Sequence, residues 1–132
     1  MASKVYPLGI EIILEAPYDI EDGNVKMALT TTTYNSAHSI YSDVSASTIG
    51  TPVALTSPAV SVASTTLTFD AADTGLTWAA VAGGSTLTGV MIYYDGATKP
   101  LIAFLDMTDT ATNGGDITIT LHGSGIFTMA MA

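Results

Sequence analysis

The segment at residues 86–106 constrains the fold more than any other part of the sequence. It contains two apolar runs, Val90–Tyr94 and Leu101–Leu105, on either side of Asp-Gly-Ala-Thr-Lys-Pro. Each run is too short for a comfortable helix and is rich in β-branched and aromatic residues, which favours strands. Asp95-Gly96 is strong turn chemistry, because glycine enters positive φ freely and aspartate caps its own backbone. We therefore predict a wide hairpin whose strands are apolar on both faces, as central strands of a packed sheet are.

Composition limits the classes of function. The 132 residues fit one domain, residues 1–132, and twelve acidic residues against three lysines give a net charge of −9. Nucleic-acid binding needs lysine and arginine, so we expect no nucleic-acid partner. The absence of cysteine excludes disulfides and thiolate metal sites. No signal-peptide pattern or 18-residue apolar run is present, so we expect neither secretion nor membrane association. A charge-poor surface of this kind suits burial in an assembly with itself or with a large partner.

The rest of the chain reads as short strands. Residues 45–66 are poor in charge, and Pro52 and Pro58 restrict the strands near them to the periphery of a sheet. At 25–30, apolar residues alternate with Lys26, Ala28 and Thr30, which predicts a half-buried strand. After Asp106, residues 107–116 read as a polar loop. Together with the hairpin, about eight strands are predicted, the others being 25–30, 53–55, 59–69, 76–78, 116–121 and 127–131. This spacing is typical of an all-β antiparallel sandwich, jelly roll or barrel.

Residues 6–16 admit two interpretations. Pro7 is a good first residue of a helix and Pro17 a good stop, with Ile10, Ile13 and Leu14 on one face. The same segment also alternates apolar and acidic residues with the period of a strand. The residues alone leave both open.

Few residues in the sequence are candidates for catalysis or metal binding. His38, Ser42 and Asp43 are triad residue types, but triads are not built from sequence neighbours and no GxSxG pattern is present. His38 and His122 do not supply a zinc ligand set. Two aspartate pairs are candidate Ca²⁺ ligands, although solvated turn carboxylates are far more common: Asp70 with Asp73, and Asp106 with Asp109. We predict no catalytic residue, no cofactor-binding residue and no metal ligand, and therefore no enzyme and no cofactor.

An ordered series of landmarks resembles a family of small virion structural proteins of tailed bacteriophages. No single motif is diagnostic; the order carries the resemblance, which extends from about Lys4 to Met129. Two departures are a missing glycine-rich segment near residues 50–58 and Leu121-His122 in place of an aromatic-acidic pair. The landmarks are IEDGNVKMAL at 20–29, Thr31–Tyr34, HSIYSDV at 38–44, Phe69–Asp73, Thr77-Trp78, Val90–Asp95, Lys99–Ile102 and Gly125-Ile126.

The resemblance implies a virion structural role. Members are labelled decoration, head-fibre or tail-fibre proteins, and a compact single domain favours a decoration (cement) protein over a long repetitive fibre. We expect a jelly-roll β-sandwich that forms a homotrimer and binds the major capsid protein on the outer surface of the assembled head. Such a chain is made in the host cytoplasm and located on the capsid surface of the virion. The family also has a short helix before the acidic turn, which favours helix at residues 7–16.

Two other classes of function compete with a cement protein. A tail-associated or receptor-binding protein would expose loops such as Tyr34–Tyr41 or Asp106–Asp116 to a host surface glycan. A glycan hydrolase would need two converging carboxylates, for which Asp70 and Asp106 are the candidates.

For the cement protein, the two ends of the chain and the single tryptophan are the expected contact residues. Ordinary packing of terminal strands is the alternative for both ends, and a core position is the alternative for the tryptophan. The interface candidates are Met129, Met131, Val5, Tyr6 and Trp78.

Overall fold

Antiparallel β-strands dominate the computed structural model, which describes residues 4–6, 24–63, 66–72, 76–121 and 126–130. No helix of seven or more residues occurs in these ranges, so the predicted all-β antiparallel class is confirmed. The described residues form ten strands rather than eight, because a short first strand is added and the predicted strand at 59–69 divides into two. The strands are β1 (Lys4–Val5), β2 (Val25–Thr30), β3 (Thr48–Ala54), β4 (Ala59–Ala63), β5 (Thr66–Asp70), β6 (Leu76–Trp78), β7 (Thr86–Tyr94), β8 (Leu101–Ala111), β9 (Ile117–Ile119) and β10 (Phe127–Ala130).

These strands form three antiparallel sheets. The largest has the order β1-β8-β7-β2-β3, the second β10-β5-β4, and the third pairs β6 with β9. The predicted hairpin is confirmed as β7 and β8, which pair in the middle of the large sheet with Met91 opposite Phe104. The helix-or-strand alternative at residues 7–16 lies outside the described residues.

The large sheet is buried on both faces. One face contributes Met27, Leu29 and Ile92 to the main core, where they meet Phe69 of β5 and Trp78 of β6. The opposite face carries a second cluster, which we call the tyrosine layer: Tyr6, Ala28, Val44, Met91, Tyr93, Leu101 and Phe104, with Tyr34 and Tyr41 packed against them. The prediction that the hairpin strands are apolar on both faces is therefore confirmed.

The tyrosine layer overturns the prediction of a half-buried strand at 25–30. Ala28 and Thr30 are 1% and 0% exposed, and only Lys26 of the polar-face residues keeps partial exposure. The cover is the loop between β2 and β3, in which Tyr41 stacks on Tyr93 with ring centroids 4.4 Å apart. Burial raises the pKa of Tyr93 to about 12, with smaller contributions from Tyr41 and Asp95.

Strand β8 is longer than the sequence predicted. The pattern assigns residues 107–116 to a polar loop, whereas β8 continues to Ala111 and pairs there with Thr86. Between the pairs Gly89–Asp106 and Leu87–Thr110, three residues of β8 face Thr88 alone, which is a β-bulge. Backbone pairing with β7 holds these polar residues extended although most of their side chains are exposed.

The turn between β7 and β8 holds an ion-pair cluster. The Asp95 carboxylate lies 2.7 Å from Nζ of Lys26 and 3.5 Å from Nζ of Lys99. The hydrogen bond from Lys26 lowers the pKa of Asp95, the charges of both lysines lower it further, and desolvation opposes them. Both lysines whose side chains are described thus share one carboxylate, which leaves the cluster with a net charge of +1.

Asp95→Asn should make the free energy of unfolding change less as the pH falls into the acid range. A carboxyl with a depressed folded pKa stabilises the protein above its unfolded pKa of about 3.9, and this stabilisation is lost as the pH falls through the folded pKa. Because the pair is at the surface, we expect a loss below about 1 kcal/mol at pH 7 that disappears once the pH is below the folded pKa. Urea unfolding from pH 7 down to about pH 2 measures it.

Asp109→Asn is the matched control for that series. Asp109 is exposed, and no ion pair is found for it among the described residues, while the change in formal charge is the same. Equal pH dependence in the two variants would show that the cluster at Asp95 contributes nothing specific.

Candidate functional site

A groove of about 480 Å³ is the strongest candidate for a binding site in the described part of the chain. It lies between the edge strand β3 and the segment that follows β6. None of the residues that line it is charged: Ile49, Gly50, Thr51, Pro52, Val53, Thr77, Trp78, Ala79, Ala80, Val81 and Ala82. In a chain with twelve carboxylates, the groove is a neutral and mostly apolar surface.

One wall of the groove is a β-bulge in β3. Leu29 faces Ile49 and Met27 faces Val53, so the three residues from Gly50 to Pro52 face Ala28 alone and have no Cα partner on β2. Gly50 has a φ of +73°, which an L side chain rarely adopts. Proline at an edge lacks the N–H of a regular ladder, and such bulges prevent indiscriminate edge pairing. The sequence Gly-Thr-Pro therefore shapes a concave wall rather than a flat strand edge.

The other wall is the turn after β6, which β9 and the segment before it hold in place. The Ala80 N–H donates to the Asp116 carboxylate at 2.8 Å. The Val81 N–H donates to the Gly115 carbonyl at 2.9 Å, and the Gly114 N–H donates back to the Val81 carbonyl at 2.9 Å. Val81 is buried while its neighbours Ala80 and Ala82 are exposed, so the turn is anchored to the core and presents small side chains outward.

Trp78 joins the two walls. Its side chain belongs to the main core and the residue is 3% exposed. Cδ1 of its indole lies 3.3 Å from the position that a Cβ on Gly50 would take, so the pyrrole edge of the ring faces the bulge. The adjacent Nε1 is buried and has no hydrogen-bond partner in the described structure. A buried donor without an acceptor costs about 1–3 kcal/mol.

The other predicted interface residues are placed elsewhere. Tyr6 is 0% exposed and packs against Tyr34 with tilted rings whose centroids are 5.1 Å apart, so its side chain offers no free surface in the protomer. Burial raises the pKa of Tyr6 to about 12, with a smaller contribution from Tyr34. Val5 pairs with Ala103 at the β1 edge. Met129 lies in β10, another edge strand, although its side chain is outside the described part, as is all of Met131.

The residues of triad type form a turn. The Asp43 carboxylate accepts the backbone N–H groups of Ser39 at 2.9 Å and Ile40 at 3.1 Å. These two hydrogen bonds lower the pKa of Asp43, and the charge of His38 adds a smaller effect. Asp43 therefore caps the 3₁₀ turn Tyr41–Asp43, while Nδ1 of His38 has no partner in the described structure.

The described residues do not bring three potential metal ligands together. No group of three or more histidine, aspartate or glutamate side chains comes together in that part of the chain. Asp106 precedes the β8 bulge and Asp109 is its last residue, so both line the same pocket, whereas Asp73 and His122 lie outside the described ranges. None of the described helices is long and apolar enough to cross a bilayer.

The sequence interpretation missed the groove, although the sequence contains a signal for it. The two longest stretches without a charged residue are 44–69 and 74–94. The groove forms where these stretches meet, with residues 49–53 from the first and 77–82 from the second. A search for pairs of long uncharged segments would have pointed to this surface, but not to its shape.

Comparison of the chain with protein-family models, with curated proteins and with solved structures finds no match. The candidate function must therefore be argued from the residues and from the geometry.

Proposed function

We propose that this chain is a non-enzymatic decoration (cement) protein of a tailed-bacteriophage capsid. It binds the outer surface of the assembled head, contacts the major capsid protein and stabilises the junctions between capsid subunits. The chain acts as a homotrimer and is part of the virion. The ordered landmarks in the sequence are the source of this proposal.

The observation that carries the proposal furthest is the neutral surface of an acidic protein. The groove between β3 and β6 is uncharged over its whole lining, in a chain of net charge −9. A surface without charges can be buried against another protein without the cost of desolvating ions. Apolar area removed from water contributes about 25 cal/mol per Å². Such a surface suits an assembly component better than it suits a free monomer.

A cement protein acts by mass action. A ligand that binds the assembled shell and not the free subunits stabilises the shell by its binding free energy. Many identical sites on one particle add avidity when each protomer of an oligomer contacts a neighbouring subunit. Neither effect needs a catalytic group, a metal or a cofactor.

The sheet arrangement supports the finer fold proposal, a jelly-roll type sandwich. The main core unites one face of the large sheet with Phe69 of β5 and Trp78 of β6, so that two layers of strands enclose apolar side chains. Two packed antiparallel layers are the basis of a sandwich. The jelly-roll assignment is tested by comparing the order of the strands in these sheets with the strand order of a jelly roll.

Recognition of a host glycan receives less support. The loops considered for it are engaged elsewhere: Tyr34 packs on Tyr6 and Phe104, and Tyr41 stacks on Tyr93. The second loop is largely strand β8. Tyr34 and Tyr41 are partly buried, and the ring faces that pack on the tyrosine layer are not available to stack on a sugar.

Immunogold electron microscopy tests the proposed location. Antibody against this chain is applied to intact virions of the phage that encodes it, with virions from which the gene is deleted as the control. We expect gold over the whole head at many copies per particle. Gold confined to the tail or its tip would overturn the proposal in favour of receptor binding.

A second measurement tests the stabilising role. Heads that lack the protein should release DNA at a lower temperature than wild-type heads, and purified protein added back should restore the higher temperature. Equal release temperatures with and without the protein would contradict a cement function even if the label lies on the head.

A further inference from the structure

We propose that the groove between β3 and β6 is the contact between neighbouring copies of this chain, and that the buried indole N–H of Trp78 obtains its acceptor there. The inference deepens the proposed function, since it places the homotrimer interface. It can nevertheless be tested on the isolated protein, without a capsid.

Charge selects a second copy as the occupant. Two copies of net charge −9 repel each other wherever carboxylates face each other. Lys26 and Lys99 offset little of this repulsion, because both pair with Asp95 of their own chain and the cluster keeps a net charge of only +1. Contact between copies is therefore least costly where charge is absent, and the groove is built from the two longest uncharged stretches of the sequence.

The indole supplies the second, independent observation. Trp78 is 97% buried, its pyrrole edge faces Gly50 in the groove wall, and Nε1 has no acceptor in the described structure. Most buried polar groups in proteins are hydrogen-bonded, so an orphan donor beside an open groove indicates an acceptor that the single protomer lacks. A backbone carbonyl of a neighbouring copy fits an uncharged groove better than a carboxylate does.

The bulge offers a route to the nitrogen. Nε1 is out of contact with solvent in the protomer, so an acceptor reaches it only when the covering residues shift. Gly50, Thr51 and Pro52 are the part of β3 that has no Cα partner on β2. Movement of this bulge therefore leaves the paired residues of β3 in register.

The shape of the groove determines the symmetry of the contact. Two grooves facing each other across a twofold axis would enclose a void, whereas a groove takes up a ridge from a different surface of its neighbour. Such a head-to-tail contact is heterologous, and it closes into a ring when the rotation is suitable. A threefold ring agrees with the homotrimer of the proposed function.

Single charges placed in the groove test the interface. Thr51→Asp and Ala82→Asp each add a carboxylate at an exposed position of the lining. Thr86→Asp and Ala111→Asp are the controls, because these exposed residues face each other across β7 and β8 and do not line the groove. The mass of each full-length protein is followed by light scattering over a dilution series.

We expect the wild type and both controls to associate, and the groove variants to dissociate at a concentration at least about tenfold higher, because each would bury an unpaired charge. A wild-type protein that stays monomeric throughout the series would overturn the inference. Groove variants that associate as tightly as the controls would overturn it as well. Far-UV circular dichroism and urea unfolding of each variant separate lost association from lost folding.

The indole signal tests the hydrogen bond directly. Trp78 is the only tryptophan, so an ¹⁵N-labelled sample gives one indole N–H resonance that needs no assignment. We expect this resonance to move downfield on association in the wild type and in Thr86→Asp, and to stay at its dilute position in Thr51→Asp. An unchanged resonance in an associated wild type would show that copies meet elsewhere. Head labelling with a monomeric protein would leave the cement role standing, while the homotrimer and its interface fail.

Discussion

Gly89→Ala is expected to destabilise the protein by about 3 kcal/mol or more, at or above the upper end of the usual cost of overpacking a core. A Cβ at Gly89 would lie 2.6 Å from the Leu105 carbonyl oxygen and 2.6 Å from Cζ of Phe104. The ring can rotate or shift, but the carbonyl belongs to β8, which pairs with β7. Relief therefore requires the two central strands to separate. Urea unfolding at pH 7 and fixed protein concentration measures the change.

Two further variants test whether the loss comes from the contacts at Gly89. Gly83→Ala is the control, because a Cβ there meets nothing closer than 3.4 Å, and we expect a change within about 0.5 kcal/mol. In the double variant Gly89→Ala with Phe104→Leu, the aromatic clash is removed while the contact with the Leu105 carbonyl remains. Relative to Phe104→Leu alone, the Gly89→Ala change should then cost less than it does in the wild type, but not nothing. A Gly89→Ala protein as stable as Gly83→Ala would mean that β7 and β8 are not packed as described.

Phe104→Ala is expected to cost about 3–5 kcal/mol, the range for truncating a fully buried phenylalanine. Phe104 is 0% exposed in the tyrosine layer, where Tyr34 packs on it with ring centroids 6.4 Å apart. Met27→Ala, on the opposite face of the same sheet, should cost about 2–5 kcal/mol. Comparable losses would establish that the sheet has two cores of similar importance.

The same unfolding experiment contains the control. Thr108→Ala changes an exposed residue further along β8 and should alter the free energy of unfolding by less than about 0.5 kcal/mol. A loss below about 1 kcal/mol for Phe104→Ala would show that the loop over the tyrosine layer covers a surface that contributes little. All variants should be compared at one protein concentration, because association shifts apparent stability.

The tyrosine layer bears on function because aromatic residues that are candidates for ligand binding pack there against other residues of the chain. From the sequence, the segment from Tyr34 to Tyr41 has the composition of a binding loop. The structure turns its rings inward, onto Tyr6, Tyr93 and Phe104. The groove at β3 contains a single aromatic residue, Trp78, whose buried Nε1 lacks a hydrogen-bond partner in the described structure, as does the buried hydroxyl of Tyr6 in the tyrosine layer.

Local patterns in the sequence were sufficient to predict the positions of several strands. Two short apolar runs around Asp95-Gly96 predicted the central hairpin, and alternation predicted β2 and β9. These predictions succeed because side-chain periodicity and turn chemistry act over a few residues. Prediction was weaker at the ends of strands. Residues of β8 that read as a polar loop are held extended by pairing with β7, which the local composition does not reveal.

The sequence by itself determined the all-β class, the central hairpin and the two long uncharged stretches from which the groove is built. Only the tertiary structure decided that Ala28 and Thr30 are buried, that Trp78 faces a bulge at Gly50, and that two distant neutral stretches form one groove. The physical reason is the distance along the chain between the residues that make contact. Burial and cavities depend on which strands become neighbours, and that choice is made by contacts between residues far apart in the chain.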